Sequence, residues 1–440
     1  MQARLLALTM ILGAGCAPVD ALRERFFDGP TPRDRYVQML DWAGLTRTAL
    51  ATDWAAAGDR ALTDPVAIAT PHAEEAWLAP EQPAALGYRV TMRRGQILSV
   101  EAGLRSDSTA LLFIDVLRVT GDTLAPFRHE QSADSAARTL EFEPRRDGEY
   151  VIRIQPELLR GGRVSVRIGV DASLAFPVQG RGSGDIGSRF GAPRDGGARD
   201  HHGVDIFAPR GTPVLAPTAA RVSRVQETPV GGKVVWLRDE RRNQSLYYAH
   251  LDSQHVSPGE WLEPGDTVGF VGNTGNASTT PPHLHFGIYS RGPVDPWPFI
   301  DRVRGRPAVL AADTSGLGGW LRTTAERVTV RNLPESGSGA LAELSRHTVM
   351  RVLAASGSWF RVLLPDGTAG YVPSAATEST ERPVETTVLA GQAAIHAAPD
   401  AGTDVLEDLA RGDSVDVLGS FGGFLLVRSQ RGSRAWLARQ

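Results

Sequence analysis

Cysteine is all but missing from this chain: Cys16 is the only one in 440 residues. No internal disulfide can form, which leaves an oxidising compartment open as an address without requiring one. Lysine is equally scarce. Lys233 is the only one, so nearly all basic charge is arginine, a compositional bias that points to no activity. Charge of one sign is lacking too: the formal net charge is −3 and no basic cluster occurs, which argues against nucleic acid as a partner. Beyond the N-terminus no apolar run is long enough to span a bilayer. The zinc-protease pattern H-E-x-x-H is also absent, so a glutamate base of that kind has no support.

What the N-terminus does contain is a secretory pattern over residues 1–16. Met1-Gln2-Ala3-Arg4 supplies a positive start, Leu5 to Leu12 an apolar core, and Gly13-Ala14-Gly15 the small residues before Cys16. The place of Cys16 resembles that in bacterial lipoprotein signals. The resemblance implies cleavage before Cys16, lipid on its sulfur, and an exported protein held at the envelope membrane. Gly13 departs from the pattern, because such signals usually carry leucine there.

A chain of this length predicts several domains, and the apolar period divides them into a mainly β, multidomain fold. Thr31-Pro32-Arg33-Asp34 reads as a helix start, and helical spacing from Tyr36 through Leu50 toward Gly58 predicts a helical region over 17–80. His72, inside it, reads as a surface residue. Over 81–172 the period becomes two, in Tyr88, Val90 and Met92, in Tyr150, Ile152 and Ile154, and in Val164, Val166 and Ile168. Short strands broken by Gly95, Gly121, Gly148 and Gly161-Gly162 predict a β-sandwich. Asp147-Gly148-Glu149-Tyr150 is similar to the pre-peptidase sandwiches of secreted bacterial proteases, which implies a spacer or docking module.

Gly182, Gly184 and Gly187 match the dinucleotide pattern G-x-G-x-x-G, which needs a helix after it to seat the phosphates. Gly191, Pro193 and Gly196-Gly197 follow instead, so the stretch reads as an entrance loop. After residue 305 the chain repeats at an offset of 65. Val330, Leu341, Leu344, Val352, Val362 and Tyr371 match Ile395, Leu406, Leu409, Val417, Val427 and Trp436. Two small β units are expected, over 318–378 and 384–440. Val328-Thr329-Val330-Arg331-Asn332-Leu333-Pro334 resembles the opening of bacterial SH3-like barrels, which implies that the units bind wall peptides. His347 and His396 have no metal-spaced partners and read as surface residues.

Five of the ten histidines fall in three short motifs: His201-His202-Gly203-Val204-Asp205, Tyr248-Ala249-His250-Leu251 and His283-Leu284-His285-Phe286. In the last, alternation puts both imidazoles on one face of a strand and Leu284 and Phe286 on the other. These motifs, in this order and with Ala208-Pro209-Arg210-Gly211-Thr212-Pro213-Val214 after the first, resemble the lysostaphin-type (LytM-like) zinc endopeptidases of bacterial peptidoglycan. The likeness implies an antiparallel β-sheet peptidase domain over 173–305, one Zn²⁺ per chain, and peptidoglycan as partner.

By the same resemblance His201, Asp205 and His285 are the metal ligands, with His202 as the alternative to His201. His283 is the general base, and His250 orients the water or stabilises the oxyanion. Two imidazoles and a carboxylate suit zinc and leave a position for water. Gly203, Gly211 and Gly275 read as turn glycines. The loop Ala277-Ser278-Thr279-Thr280-Pro281-Pro282 departs from the usual Ser-Thr-Gly-Pro, and its added proline stiffens one wall of the groove. Two other readings stay open: a wall-binding regulator of amidases without activity, and an envelope protease acting on a protein. The exact bond and any protein partner are not legible.

Overall fold

The computed structural model describes residues 29–439 except 107–108, 135 and 303–304. The secretory pattern and Cys16 lie outside the described residues. Strands dominate, as the alternation predicts. The helical start is present: Thr31 Oγ1 accepts from Asp34 N–H at 3.1 Å while the Asp34 carboxylate accepts from Thr31 N–H, a capping box with Pro32 in the first turn. The helix does not run on to Gly58. It ends at Trp42, where Gly44 turns the chain at φ +71°, and a second helix, Ala49–Thr63, begins behind a Thr48 cap. Residues 72–78 then form a strand, so the helical region is shorter than its expected 80-residue limit. His72 opens that strand and is only 5% exposed, beside Glu74, rather than on the surface.

The sandwich forms from two sheets that share one apolar core. Tyr88, Val90, Ile152 and Ile154 come from one sheet, and Leu98, Val100, Val164 and Val166 from the other. The second sheet does not stop at the sandwich edge. The His72–Leu78 strand pairs with Val349–Ser356 of the first repeat, Glu75 opposite Ala355, to make an eleven-stranded sheet. Below this seam Glu74 Oε1 accepts at 2.8 Å from both Arg361 Nη2 and Tyr88 Oη. A charge so buried needs a partner, and Glu74 and Arg361 provide one another with it. The first repeat is therefore built into the sandwich and is not a tethered bead.

The two repeats share their irregularities as well as their residues. Each carries a register shift after Val330 or Ile395 and another after Val352 or Val417, 65 residues apart. The matched Leu341 and Leu406 are not core: both are about half exposed, on sheet-edge strands. Trp320 and Trp436 meet edge to face at 5.8 Å, with Val349, Leu418 and Leu426 packed around the contact between repeats.

In chain order, between sandwich and repeats, comes the eight-stranded sheet that carries the histidines. Val204–Phe207 pairs with His283–Tyr289, which pairs with Gln244–Leu251, which pairs with Gly232–Asp239. Its core face holds Val204, Ile206, Tyr248, Leu284 and Phe286, all fully buried. Arg242 clamps the sheet to the sandwich through Glu143, at 2.7 and 2.8 Å. The stretch around Gly182 forms a single 3₁₀ turn and then a strand, so no helix N-terminus is available for phosphates.

Candidate metal and catalytic site

Register brings the expected ligands together. Asp205 stands directly opposite His285 across the central strand pair, and cross-strand partners leave the same face of a sheet. His283, two residues before His285, shares that face and lies against Phe207, its own cross-strand partner, at 5.2 Å. His201 enters from the loop ahead of the strand. Its Nδ1 donates to the Arg189 carbonyl at 3.0 Å, which leaves Nε2 as a lone pair aimed at the other two ligands. Nε2 of His201 lies 3.0 Å from Oδ1 of Asp205 and 2.9 Å from Nδ1 of His285, and the last two are 3.0 Å apart.

Three donor atoms so close cannot all be satisfied by protons. One is a lone pair by its tautomer and another belongs to a carboxylate, so a cation fits where they converge. Around a tetrahedral zinc with bonds of about 2.0–2.1 Å the ligand atoms stand roughly 3.3 Å apart, and a small outward movement reaches that spacing. Electrostatics agree. Burial alone would raise the Asp205 carboxyl, yet in the metal-free site hydrogen bonds and positive charge from His201 and His285, whenever those rings are protonated, hold it well below the ordinary range, so it stays ionised. Burial lowers His285, which favours the neutral ring that a metal requires. His202 points away: it is exposed and stacks on Phe190.

Gly203 is not a turn glycine. A Cβ there would lie 2.6 Å from the Phe286 carbonyl and 2.8 Å from the His285 ring, so its small size is what lets the loop close on the ligand. Gly211 and Gly275 do turn the chain, at φ +82° and +72°.

His250 reaches the site by an irregularity. Tyr248 faces the core opposite Phe286, and Ala249 faces the site opposite His285, so simple alternation would turn His250 inward. A register shift against the neighbouring strand and a φ of +63° reverse it. Its ring then lies 5.1 Å from that of His283 and 6.0 Å from that of His285. Nδ1 of His250 donates to the Thr274 carbonyl, and Nδ1 of His283 to the Pro281 carbonyl, each at 2.9 Å. A carbonyl can only accept, so both rings keep Nε2 as a base. Burial pushes His250 down to about 4, with the Thr274 carbonyl opposing and the charge of His283 assisting, so it is neutral at physiological pH.

The profile of peptidase family M23 matches residues 199–296, the segment that holds all five of these side chains. Over these residues the chain is similar to peptidase family M23. The chain is 35% identical over 133 residues to the L-Ala–D-Glu endopeptidase of Bacillus subtilis, covering 28% of this chain and 40% of that protein. It is 33% identical over 100 residues to peptidoglycan DD-endopeptidase ShyC of Vibrio cholerae, 23% and 22% of the two chains. The chain thus spans under half the length of these curated relatives. Among solved structures, the catalytic domain of lysostaphin from Staphylococcus simulans matches at 31% identity and TM-score 0.24, over 26% of this chain and 89% of that one.

Several residues around the site are given no role by the sequence motifs. Trp236, Tyr247 and Tyr289 form an aromatic wall, Tyr247 meeting Trp236 at 4.4 Å and His285 at 5.8 Å. Asn273 braces the proline-containing loop by donating to Ser278 and Thr280 carbonyls, and itself accepts from Arg210. That loop also supplies the carbonyl that holds His283, so its stiffness bears on the base as well as on the groove.

Proposed function

We propose that this protein is an exported zinc-dependent endopeptidase that hydrolyses peptide bonds in peptidoglycan cross-bridges or stem peptides. The observation that carries it is the convergence of the His201, Asp205 and His285 donor atoms beside two imidazoles whose Nδ1 atoms are tied to carbonyls. Zinc held by the three donors would polarise the scissile carbonyl and acidify a water. His283 takes the proton of the attacking water on Nε2 while the Pro281 carbonyl steadies the ring. His250, kept neutral, orients that water or stabilises the developing oxyanion. The complete set of donors and bases disfavours an inactive regulator, which needs neither.

The two peptidases named above are called after different bonds, so a digest must find the bond. Zinc-loaded protein incubated with several peptidoglycan types is expected to release muropeptides with new peptide termini, read by mass spectrometry. Release from none of them, with zinc shown to be bound, would sink the hydrolase reading. Cleavage confined to an envelope protein would move the substrate to polypeptide.

Envelope anchoring is the second part of this proposal. It rests on the apolar stretch and small residues before Cys16. Cys16→Ser is expected to shift the protein from the membrane fraction to the soluble one. Unchanged fractionation of an exported Cys16→Ser protein would remove the anchor.

A further inference from the structure

Two of the three ligands are backed by one side chain from outside the ligand motifs. Arg194 Nη2 donates to Ser188 Oγ at 2.8 Å and, over a very short contact, to Oδ2 of Asp205, the carboxylate oxygen turned away from the other ligands. Ser188 Oγ lies 3.2 Å from Nδ1 of His201, next to the Arg189 carbonyl that accepts from the same nitrogen. A single guanidinium nitrogen thus stands behind both Asp205 and His201.

Arg194 sits on a hairpin formed by Pro193–Arg194 and Arg199–Asp200. That hairpin hangs on the backbone of His201: Gly191 N–H donates to the His201 carbonyl, and His201 N–H to that of Ala192, each at 2.9 Å. Backbone hydrogen bonds therefore tie the hairpin to the first expected ligand. An exposed ion pair contributes little to stability, but this one is not fully exposed. The Asp205 side chain is 8% exposed and that of Arg194 32%, and the carboxylate offers Oδ2 to Arg194 while Oδ1 faces His201 and His285.

We propose that Arg194 is a positioning residue for the metal. It holds the Asp205 carboxylate with Oδ1 toward the ion, and through Ser188 it holds His201, as partners behind metal ligands generally do. This inference rests on the triad being a metal site and is independent of which bond is cut.

The test is zinc affinity by chelator competition on the full chain, with thermal unfolding of the metal-free protein beside it. Arg194→Gln is expected to weaken zinc binding on the order of 10–100-fold while the metal-free melting temperature holds. Arg194→Lys, which keeps the charge and loses the fork, should fall between. Wild-type affinity in Arg194→Gln overturns the proposal. So does a loss that tracks a lowered metal-free melting temperature and that lysine does not relieve, because that is the signature of hairpin folding. If Arg194→Gln does not fold, Arg194→Lys and Ser188→Ala decide it: several-fold weaker binding supports the role, and wild-type affinity in both rejects it. Asp205→Ala is the control, since zinc retained there would defeat the metal site itself and not merely the part assigned to Arg194.

Discussion

Alanine at Asp205 or at His285 is expected to leave the protein without bound zinc and without activity, whereas alanine at His202 leaves both intact. Asp205 carries the only negative charge among the three converging donors, and its Oδ1 is 3.0 Å from each imidazole nitrogen. Its removal takes away a ligand and also the counter-charge that the ion needs in a buried site. Among the described residues only His201 and Asp205 bring donor atoms into one group with His285, so no further side chain stands ready to replace it. His202 is exposed and turned to Phe190, so its removal costs no ligand. Elemental analysis of the three purified variants reads the result. Zinc kept by Asp205→Ala and lost by His202→Ala would reverse the ligand assignment.

His283→Ala and His250→Ala form the second large effect, of the opposite kind. Both should keep zinc near stoichiometry and lose on the order of 10²–10⁴-fold in turnover, the usual contribution of general acid–base groups. The reasoning is geometric. Each ring is anchored by Nδ1 to a backbone carbonyl and keeps Nε2 free to receive a proton, and neither nitrogen belongs to the converging triad. Because burial holds His250 down to about 4, the ring remains a neutral acceptor from neutral pH down to about pH 5, and protonation removes it only in more acidic solution. Single-turnover rates with zinc content measured on the same samples separate the two roles. A His283→Ala protein at full rate would remove the proton-transfer assignment while leaving the metal site standing.

Part of this site was open to sequence reasoning because it depends on local periodicity. His283 and His285 share a face because strand side chains alternate, and no tertiary contact is needed to know it. The capping box at Thr31 and Asp34 is equally local, as is the 65-residue repeat. His250 shows where locality ends. Alternation along Tyr248, Ala249 and His250 points the ring to the wrong face, and only the positive φ and the register shift bring it back. His72 failed for a related reason: it lies in a polar-looking stretch, but its ring packs against Tyr88 and lies beside Glu74, the partner of Arg361 in the first repeat. The helical spacing that runs from Tyr36 toward Gly58 is broken by Gly44, whose C-terminal turn outweighs the continuing apolar spacing.

The sequence by itself determined that two histidines would face one way and that the tail would be two copies of one β unit. Each follows from residue type and short-range period. Tertiary structure alone decided that Asp205 meets His285 across 80 residues, that Arg194 stands behind both Asp205 and His201, and that the Glu74–Arg361 pair seals the first repeat into the sandwich. The physical reason is that strand register and buried charge pairing depend on which distant segments exclude water together. No local pattern of residues encodes that choice.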